Sequence, residues 1–228
     1  MDAGDRSFLF LDLGTIEYER AFELQKRCVE TRAQGKIQDL LILLEHLPVF
    51  TFSKSTEPEH LLVPLSSLTE RGITVSPTNR GGDITYHGPG QLVGYVIMDL
   101  SGRGRDLHRY VRDLEQLIID TLAEWGINAS RDAEHPGVWV ENEKIAAIGI
   151  AVNRQWITMH GFSLNIDPCL EHFSLIVPCG IRDKGVTSMK RILGEDVDPE
   201  RLKADIIKNF QRIFETSGTK GELGGILC

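Results

Sequence analysis

The stretch Lys144–Ile166 reads KIAAIGIAVNRQWITMHGFSLNI, and the fold class follows from its pattern. Two runs rich in apolar and β-branched residues, Lys144–Val152 and Trp156–Ile166, are separated by the polar residues Asn153–Gln155. Two such runs joined by a short polar turn predict a β-hairpin. The run Gly137–Val140 precedes them across a second short turn, so the whole segment predicts a β-meander.

Three further runs predict strands nearer the N-terminus. Phe8–Leu13 is short and apolar, and Asp39–Glu45 is apolar at nearly every position, which favours a buried strand. Leu92–Leu100, with the sequence LVGYVIMDL, is the third. Because strands outnumber helices and hairpins outnumber βαβ units, the sequence predicts an α+β fold. We expect a mostly antiparallel sheet flanked by helices.

Three amphipathic segments predict the flanking helices. The first is Ile16–Ala33, with Thr15 as its cap. The second is Asp106–Trp125, where apolar side chains recur at three- and four-residue steps. The third follows the cap and first-turn pair Asp198–Pro199. Its predicted buried stripe comprises Leu202, Ile206, Phe210, Ile213 and Phe214.

The composition is that of an ordinary soluble domain, with 41% hydrophobic and 25% charged residues. We expect one domain over residues 1–217 of the 228, followed by a flexible tail over residues 218–228. The formal net charge of −8 argues against general nucleic-acid binding, which depends on neutralising phosphates. No run approaches the ~20 apolar residues of a membrane span, and the N-terminus lacks a signal-type apolar run.

The cysteines predict free thiols. They are Cys28, Cys169, Cys179 and Cys228. Their wide spacing fits neither a metal site nor a disulfide framework, so we expect a cytoplasmic protein in a reducing compartment.

Cys179 is the strongest candidate nucleophile. Pro178 fixes its own φ and Gly180 permits unusual dihedral angles, so the chain can bend sharply and expose the thiol. Such a bend would also leave neighbouring N–H groups free to face a developing oxyanion. The alternative is that Cys179 is a small buried apolar residue. Cys169 also follows a proline but leads into a charged stretch, and Cys28 lies on a predicted helix face.

The tract Arg80–Gln91 reads RGGDITYHGPGQ and predicts a ligand-binding loop, although an ordinary loop is the alternative. Gly81 and Gly82 would let the main chain approach a ligand closely. The tract matches neither the dinucleotide-binding fingerprint nor the P-loop. No second histidine or acidic partner stands at metal-ligand spacing, so we expect no metal. Its polar residues are Arg80, Asp83, Thr85, Tyr86, His87 and Gln91.

Lys144 opens an otherwise apolar strand, and two interpretations are open. It either points into water from a turn or borders an apolar cavity, where its ammonium would lower the pKa of a nearby thiol. His160, within a strand pattern, is expected to be a hydrogen-bonded structural residue. The adjacent Gly161 indicates a bulge or a close approach to a ligand.

Together these motifs resemble the octanoyltransferase family, the lipoyl(octanoyl) transferases of protein lipoylation. The resemblance runs along most of the chain, from the first strand to Val177–Ser188 (VPCGIRDKGVTS). It rests on the glycine-rich tract, on Lys144–Gly149 as the lysine strand and on Pro178–Ile181 as the nucleophile turn. The segment His160–Asn165 also fits, with Ser163 where alanine is usual.

The resemblance implies the fold shared by lipoate and biotin protein ligases and an acyltransferase activity without a cofactor. It implies that Cys179 carries the acyl group as a thioester and that Lys144 lowers the thiol pKa. The residues it implies around the acyl chain are Arg80, Gly81, Gly82, Asp83, Ile84, Thr85, Tyr86, His87, Ala147, Ile148, Gly149, Gly161, Phe162 and Ser163.

The implied donor is octanoyl-acyl carrier protein. The implied acceptor is a specific lysine on lipoyl domains of 2-oxoacid dehydrogenase complexes or on the glycine-cleavage H protein. Because carrier proteins are acidic, basic side chains are candidate docking groups. These are Arg103, Arg105, Lys184, Lys190 and Arg191. Two alternatives stay open: an ATP-dependent lipoate- or biotin-type ligase on the same fold, and a non-catalytic acyl-carrier-binding protein.

Overall fold

The computed structural model describes residues 7–181, 184–222 and 224, and for Cys179 it describes the main chain only. Over these residues the chain forms a sheet of nine strands, a sheet of three strands and five α-helices. The strands are β1 Ser7–Ile16, β2 Asp39–His46, β3 Val49–Phe52, β4 Thr74–Pro77, β5 Thr85–His87, β6 Gln91–Ile97, β7 Ser130–Arg131, β8 Val138–Val140, β9 Glu143–Val152, β10 Thr158–Asn165, β11 Gly185–Val186 and β12 Ser217–Lys220. The helices are α1 Tyr18–Ala33, α2 Leu65–Glu70, α3 Leu107–Ala123, α4 Met189–Leu193 and α5 Pro199–Ile213.

The predicted hairpin lies within the large sheet. Strands β9 and β10 pair antiparallel, with Gly161 opposite Gly149. The strand order is β12-β1-β2-β6-β10-β9-β8-β7, and β11 also pairs with β9. Neighbours from β2 to β7 are antiparallel, whereas the β1–β2, β1–β12 and β9–β11 pairs are parallel. The predicted α+β class with a mostly antiparallel sheet is therefore confirmed.

Helices cover both faces of the large sheet because its central strands are apolar on both sides. In β2, Leu41 and Leu43 pack into a cluster with α3 and α5, whereas Leu40 and Ile42 pack into a second cluster with α1. The buried faces of the helices supply the matching apolar side chains. They include Leu114, Leu117 and Ile118 of α3, Leu202, Ile206 and Phe210 of α5, and Ala21, Leu24 and Cys28 of α1. None of the helices in the described residues is long and apolar enough to cross a membrane.

The small sheet positions the loops around the site. Its order is β4-β3-β5, and β5 lies inside the glycine-rich tract. Phe50 of β3 packs with Phe173 and Ile176, just before the Pro178–Gly180 turn, in a third apolar cluster. The N–H of Val177 donates to the carbonyl of His60 at 2.8 Å. The glycine-rich tract and the turn are thereby attached to one small core.

Two of the three predicted helix starts are confirmed, and the first is wrong. Asp106 caps α3 by accepting from the N–H of Arg109 at 2.9 Å, and Asp198 caps α5 by accepting from Glu200 at 3.0 Å. In contrast, α1 begins at Tyr18, and Glu17 at its N-cap makes no side-chain cap bond. Thr15 lies in β1 opposite Glu45 of β2, because pairing with β2 extends the strand as far as Ile16.

The C-terminal segment also differs from the prediction. Gly218–Lys220, which the sequence places in a flexible tail, belong to β12 and pair in parallel with β1. Pairing satisfies main-chain groups that β1 would otherwise expose at a sheet edge. Gly218 also lies under the ring of Phe8, whose Cε1 would be 2.5 Å from a Cβ at this position. Residues 225–228, including Cys228, lie outside the described residues.

Candidate active site

A cavity of about 290 Å³ lies between the glycine-rich tract and the β9–β10 ladder. This volume is near the lower end of the range for small-molecule sites. Lys144 lines it, and so do Val93, Ile150 and Ile181. The implied acyl-binding residues that line it are Arg80, Gly81, Gly82, Asp83, Thr85, His87, Ala147, Ile148, Gly149, Gly161, Phe162 and Ser163.

Ile84 and Tyr86 are not among the lining residues, which corrects the set implied by the resemblance. Side chains alternate along an extended chain, so Asp83, Thr85 and His87 face the cavity. Ile84 and Tyr86 point the other way and are buried in the third apolar cluster. They support the wall of the cavity from behind.

Residues of paired positions along the β9–β10 ladder line the cavity. Ser163 is opposite Ala147, Gly161 is opposite Gly149, and His160 is opposite Ile150. The six steps from Lys144 to Ile150 correspond to ~20 Å of strand. Lys144 therefore lies toward one end of the cavity, and His160 lies toward the other.

Lys144 is buried rather than exposed at a turn. It is 8% exposed, and its Nζ lies 4.7 Å from the centre of the Trp139 ring. Its main chain is held by β11, where Val186 is its partner, and its carbonyl accepts from the N–H of Thr187 at 3.0 Å. Lys144 therefore borders the cavity and does not point into water from a turn.

The predicted bend around Cys179 is present as a 3-10 turn over Pro178–Gly180, with Gly180 at φ +73°. The expectation of free N–H groups is wrong for the two residues after the cysteine. Gly180 N–H donates to the Val177 carbonyl and Ile181 N–H donates to the Pro178 carbonyl, each at 3.0 Å. These two N–H groups are used in hydrogen bonds within the turn itself. An oxyanion at Cys179 would therefore need hydrogen-bond donors from other residues.

A histidine–aspartate pair lies next to the turn, and no sequence motif predicts it. His60 Nδ1 and Asp83 Oδ2 are 2.5 Å apart, and the other oxygen of Asp83 accepts from the N–H of Ile84 at 2.6 Å. A Cβ at Gly180 would lie 3.0 Å from Asp83 Oδ2. His60 lies in an irregular link with no surrounding motif, so only the tertiary fold reveals that it borders the site.

The end of the cavity away from Lys144 is polar, although it is buried. Tyr18, Tyr95 and His160 line it. The Tyr95 hydroxyl donates to His46 Nε2 at 2.6 Å, and His46 Nδ1–H donates to the Ile16 carbonyl at 2.9 Å. Tyr18 and Tyr95 line the cavity from α1 and β6, and His46 of β2 contacts it only through its hydrogen bond to Tyr95. Because three separate elements supply these side chains, no single motif predicts them.

His160 is a hydrogen-bonded structural residue, as expected. It has φ +64°, and its N–H donates to Gln25 Oε1 at 2.8 Å while its Nε2 contacts Asn79 Oδ1 at 2.7 Å. Gly161 marks a close approach between two strands: a Cβ there would lie 2.3 Å from the carbonyl oxygen of Gly94.

Burial keeps the histidines at this end uncharged. It lowers the pKa of His46 to about 4 and that of His160 to about 3. Burial likewise places the pKa of His87 well below its ordinary value, and the nearby His46 adds to that effect. The histidines at this end are therefore neutral polar groups, and Arg80 is the charged side chain that lines the cavity beside them.

The basic residues considered for docking are largely engaged within the molecule. Lys184 pairs with Asp132, Lys190 with Asp167 at 2.8 Å, and Arg191 with Glu143 at 3.6 Å. The remaining two lie over aromatic rings: the guanidinium of Arg103 is 5.8 Å from the ring centre of Phe214, and that of Arg105 is 5.9 Å from that of Trp156. Local pairing of this kind reduces the charge that these residues offer to an acidic partner.

The neutral histidines predict a pH-dependent stability. Below their ordinary pKa of 6.5 they take up protons in the unfolded chain, whereas His46 and His160 in the folded protein stay neutral to about pH 4 and 3. The unfolding free energy should therefore fall as the pH drops from about 6.5 to about 4, by up to ~1.4 kcal/mol per pH unit for each histidine. Urea unfolding across this range measures the slope. His46→Gln should reduce it, whereas His108→Gln, at an exposed position of α3, should not. Equal slopes for wild type and His46→Gln would contradict the assignment.

Comparison with known proteins finds the same family that the sequence motifs resemble. The model of the lipoyl protein ligase A/B catalytic domain matches residues 17–211. An octanoyltransferase from Desulforamulus reducens is 45% identical over 204 residues, which are 89% of each chain. One from Solibacter usitatus is 47% identical over 210 residues, which are 92% of this chain and 94% of that one.

Solved structures with low sequence identity share the fold. A lipoate-protein ligase A bound with ATP superposes with a TM-score of 0.72 at 16% identity, covering 95% of this chain and 88% of that one. The biotin protein ligase from Aquifex aeolicus has a TM-score of 0.51 at 11% identity, covering 92% and 69%. The expected fold relationship to both kinds of ligase is confirmed. From its motifs, its domain match and its close relatives, the chain belongs to the octanoyltransferase family and is an acyltransferase.

Proposed function

We propose that this protein transfers an octanoyl group from octanoyl-acyl carrier protein to a specific lysine of a lipoyl domain, through a thioester on Cys179. The observation that carries the proposal is the cavity whose lining extends from Lys144 and Ile181, two residues after Cys179, to the polar residues Tyr18, Tyr95 and His160. The names of the close relatives support octanoyl as the acyl group. The acceptors that we propose are lipoyl domains of 2-oxoacid dehydrogenase complexes and the glycine-cleavage H protein.

The cavity walls suit a medium-length alkyl chain. Val93, Ile148, Ile150 and Phe162 supply apolar surface, and the glycines of the ladder leave room beside the main chain. Burying each CH₂ group contributes ~0.8 kcal/mol, so an eight-carbon chain should bind much more tightly than an acetyl group.

The polar end supports an upper limit on chain length. A longer chain would have to push methylene groups against Tyr18, Tyr95 and His160, all of which line the cavity. Contact with methylenes would deprive these groups of hydrogen bonding without giving the alkyl chain a better environment. Selection for octanoyl would then come from apolar walls of limited length and a polar end.

The proposed chemistry needs no nucleotide. The Cys179 thiolate attacks the carrier thioester, the carrier sulfur leaves, and it takes a proton from the Lys144 ammonium. The neutral amine of the acceptor lysine then attacks the acyl-cysteine, Cys179 leaves as a thiolate, and the proton of the amine returns to Lys144. A thioester is consumed and an amide is formed, which is downhill.

Replacing Cys179 tests the covalent intermediate. We expect wild-type protein mixed with octanoyl-acyl carrier protein to gain the mass of one octanoyl group and then to modify apo lipoyl domain without ATP. Cys179→Ala should lose both activities. Cys169→Ala is the matched control, because Cys169 is exposed and also follows a proline.

Intact-mass and peptide analysis locate the acyl group. An adduct on Cys169 would overturn the choice of nucleophile. Transfer that requires ATP and a free acid would favour the ligase alternative, and binding of the carrier without any adduct would favour a non-catalytic protein.

Replacing Lys144 tests its effect on the thiol. A close ammonium lowers a thiol pKa by ~1 to 3 units, so Lys144→Met should raise the apparent pKa of Cys179 alkylation and slow turnover. Lys184→Met is the control, since both ammonium groups lie 4.7 Å from the centre of the Trp139 ring. The pH profile of alkylation, followed by mass spectrometry, is the measurement. Identical profiles for Lys144→Met and wild type would refute this role.

Shortening Tyr18 tests the limit on chain length. Tyr18→Ala should open the polar end and raise the rate of acylation by decanoyl relative to octanoyl carrier protein. Two further buried CH₂ groups at ~0.8 kcal/mol each correspond to about tenfold. Phe22→Ala is the control, because Phe22 stacks on Tyr18 from the next turn of α1 but does not line the cavity. A decanoyl-to-octanoyl ratio that rises equally in both variants would exclude Tyr18 as the limit.

A further inference from the structure

A chain of buried hydrogen bonds connects the glycine-rich tract to the segment that follows the nucleophile turn. His87 Nδ1 is 2.6 Å from Gln91 Oε1, Gln91 Nε2 donates to Asn165 Oδ1 at 2.8 Å, and Asn165 Nδ2 donates to the carbonyl of Thr187 at 2.9 Å. All four residues are buried. Gln91 ends the glycine-rich tract and Asn165 ends the motif His160–Asn165, yet neither residue has a part in the proposed chemistry.

The Thr187 carbonyl fixes the donor and acceptor of every hydrogen bond in this series. A main-chain carbonyl only accepts, so the atom of Asn165 next to Thr187 must be its NH₂ group. The other atom of the amide is then an oxygen, which requires the NH₂ group of Gln91 to face it. The remaining oxygen of Gln91 faces His87, and it can be satisfied only by a proton on Nδ1.

His87 is therefore protonated on Nδ1, and its neutral state leaves Nε2 with a free lone pair. Burial favours the neutral imidazole by lowering the pKa of His87. The ring lines the large cavity. Within the part of the chain that the structure describes, Nε2 makes no hydrogen bond. The cavity thus meets an acceptor at this position rather than a donor or a charge.

The same chain of bonds reaches Lys144 at its other end. Thr187, whose carbonyl accepts from Asn165, donates its own N–H to the carbonyl of Lys144 at 3.0 Å. Gln91, Asn165, Lys144 and Pro178 also line a second, small cavity of about 20 Å³. Gln91, the last residue of the glycine-rich tract, is therefore linked through Asn165 to the segment that holds Lys144.

We propose that Gln91 and Asn165 are positioning residues of this enzyme. Together they hold His87 in the Nδ1–H form with its bare Nε2 toward the substrate cavity, and they fix the Thr187–Lys144 segment relative to the glycine-rich tract. The catalytic part of this inference rests on the proposed octanoyl transfer, whereas the protonation pattern of His87 does not.

The protonation pattern is measured directly by ¹⁵N NMR of the histidine rings in the substrate-free protein. The chemical shifts of the two ring nitrogens distinguish Nδ1–H from Nε2–H. We expect wild-type His87 to be entirely Nδ1–H at neutral pH; an Nε2–H ring would overturn the inference. Because no acyl donor is needed, this result does not depend on whether octanoyl transfer is the activity.

Variants separate positioning from general stability. Gln91→Met keeps much of the side-chain volume but removes the acceptor, and it should give His87 as a mixture of both forms. Asn165→Leu should also give a mixture of both forms. It removes the oxygen that accepts from the Gln91 NH₂ group, so the Gln91 amide is free to turn either its oxygen or its NH₂ group toward His87. Gln25→Met is the matched control: Gln25 is another fully buried amide, but it accepts from the N–H of His160 and not from His87.

Three results would count against the proposal. A pure Nδ1–H ring in Gln91→Met would mean that Gln91 does not select the form. An altered His87 signal in Gln25→Met would mean that any buried amide has this effect. Unchanged octanoyl transfer by Gln91→Met, in a protein whose His87 has become mixed, would remove the catalytic role. We expect instead a loss of turnover in step with the loss of the Nδ1–H signal.

Discussion

The architecture depends on how closely β10 approaches β6 and how closely the glycine-rich tract approaches β9. At Gly161 the two strands leave no room for a side chain, because a Cβ would lie 2.3 Å from the Gly94 carbonyl oxygen. Gly94 in turn carries no side chain because the Phe162 ring occupies that space, 2.1 Å from where its Cβ would lie. On β9, the main chain of Gly81 donates to the Ile150 carbonyl at 2.8 Å, which attaches the tract to the strand. These contacts bring the walls of the cavity together, and none of them involves a reactive side chain.

The sequence predicts the elements well where periodicity and caps act locally. The β9–β10 hairpin, the capped helices α3 and α5 and the bend at Pro178 are of this kind. The sequence predicts less well which side chains of a strand face the cavity. The family motif covers Ile84 and Tyr86 along with their neighbours, whereas strand alternation alone would have placed these two side chains on the side away from the cavity. Tyr18, His46 and His60 were missed because distant segments bring them to the site. The start of α1 and the strand β12 were wrong because pairing with β1 and β2 overrides local preference.

Polar groups at the surface of the protein and polar groups in its interior are stabilised in different ways. At the surface, charges are paired, as in Lys190 with Asp167 and Arg191 with Glu143. In the interior, His46, His87 and His160 are held neutral and hydrogen-bonded, because an isolated buried charge would cost far more than a buried neutral group. Lys144 is the exception, a buried lysine beside an aromatic ring. Ligases and transferases share this fold, so the difference between them has to come from such individual residues and not from the architecture.

The pairing of β12 with β1 also determines where the first and last strands of the described chain lie. Ser7 is opposite Ser217, so the first and last strands of the domain begin side by side. They occupy one edge of the large sheet, and five strand-to-strand steps separate β12 from β9 in the order β12-β1-β2-β6-β10-β9. At ~4.8 Å per step this is ~24 Å from the strand that carries Lys144. Attachment of the protein to a surface or a fusion partner through this edge of the sheet would therefore leave the region around Lys144 uncovered.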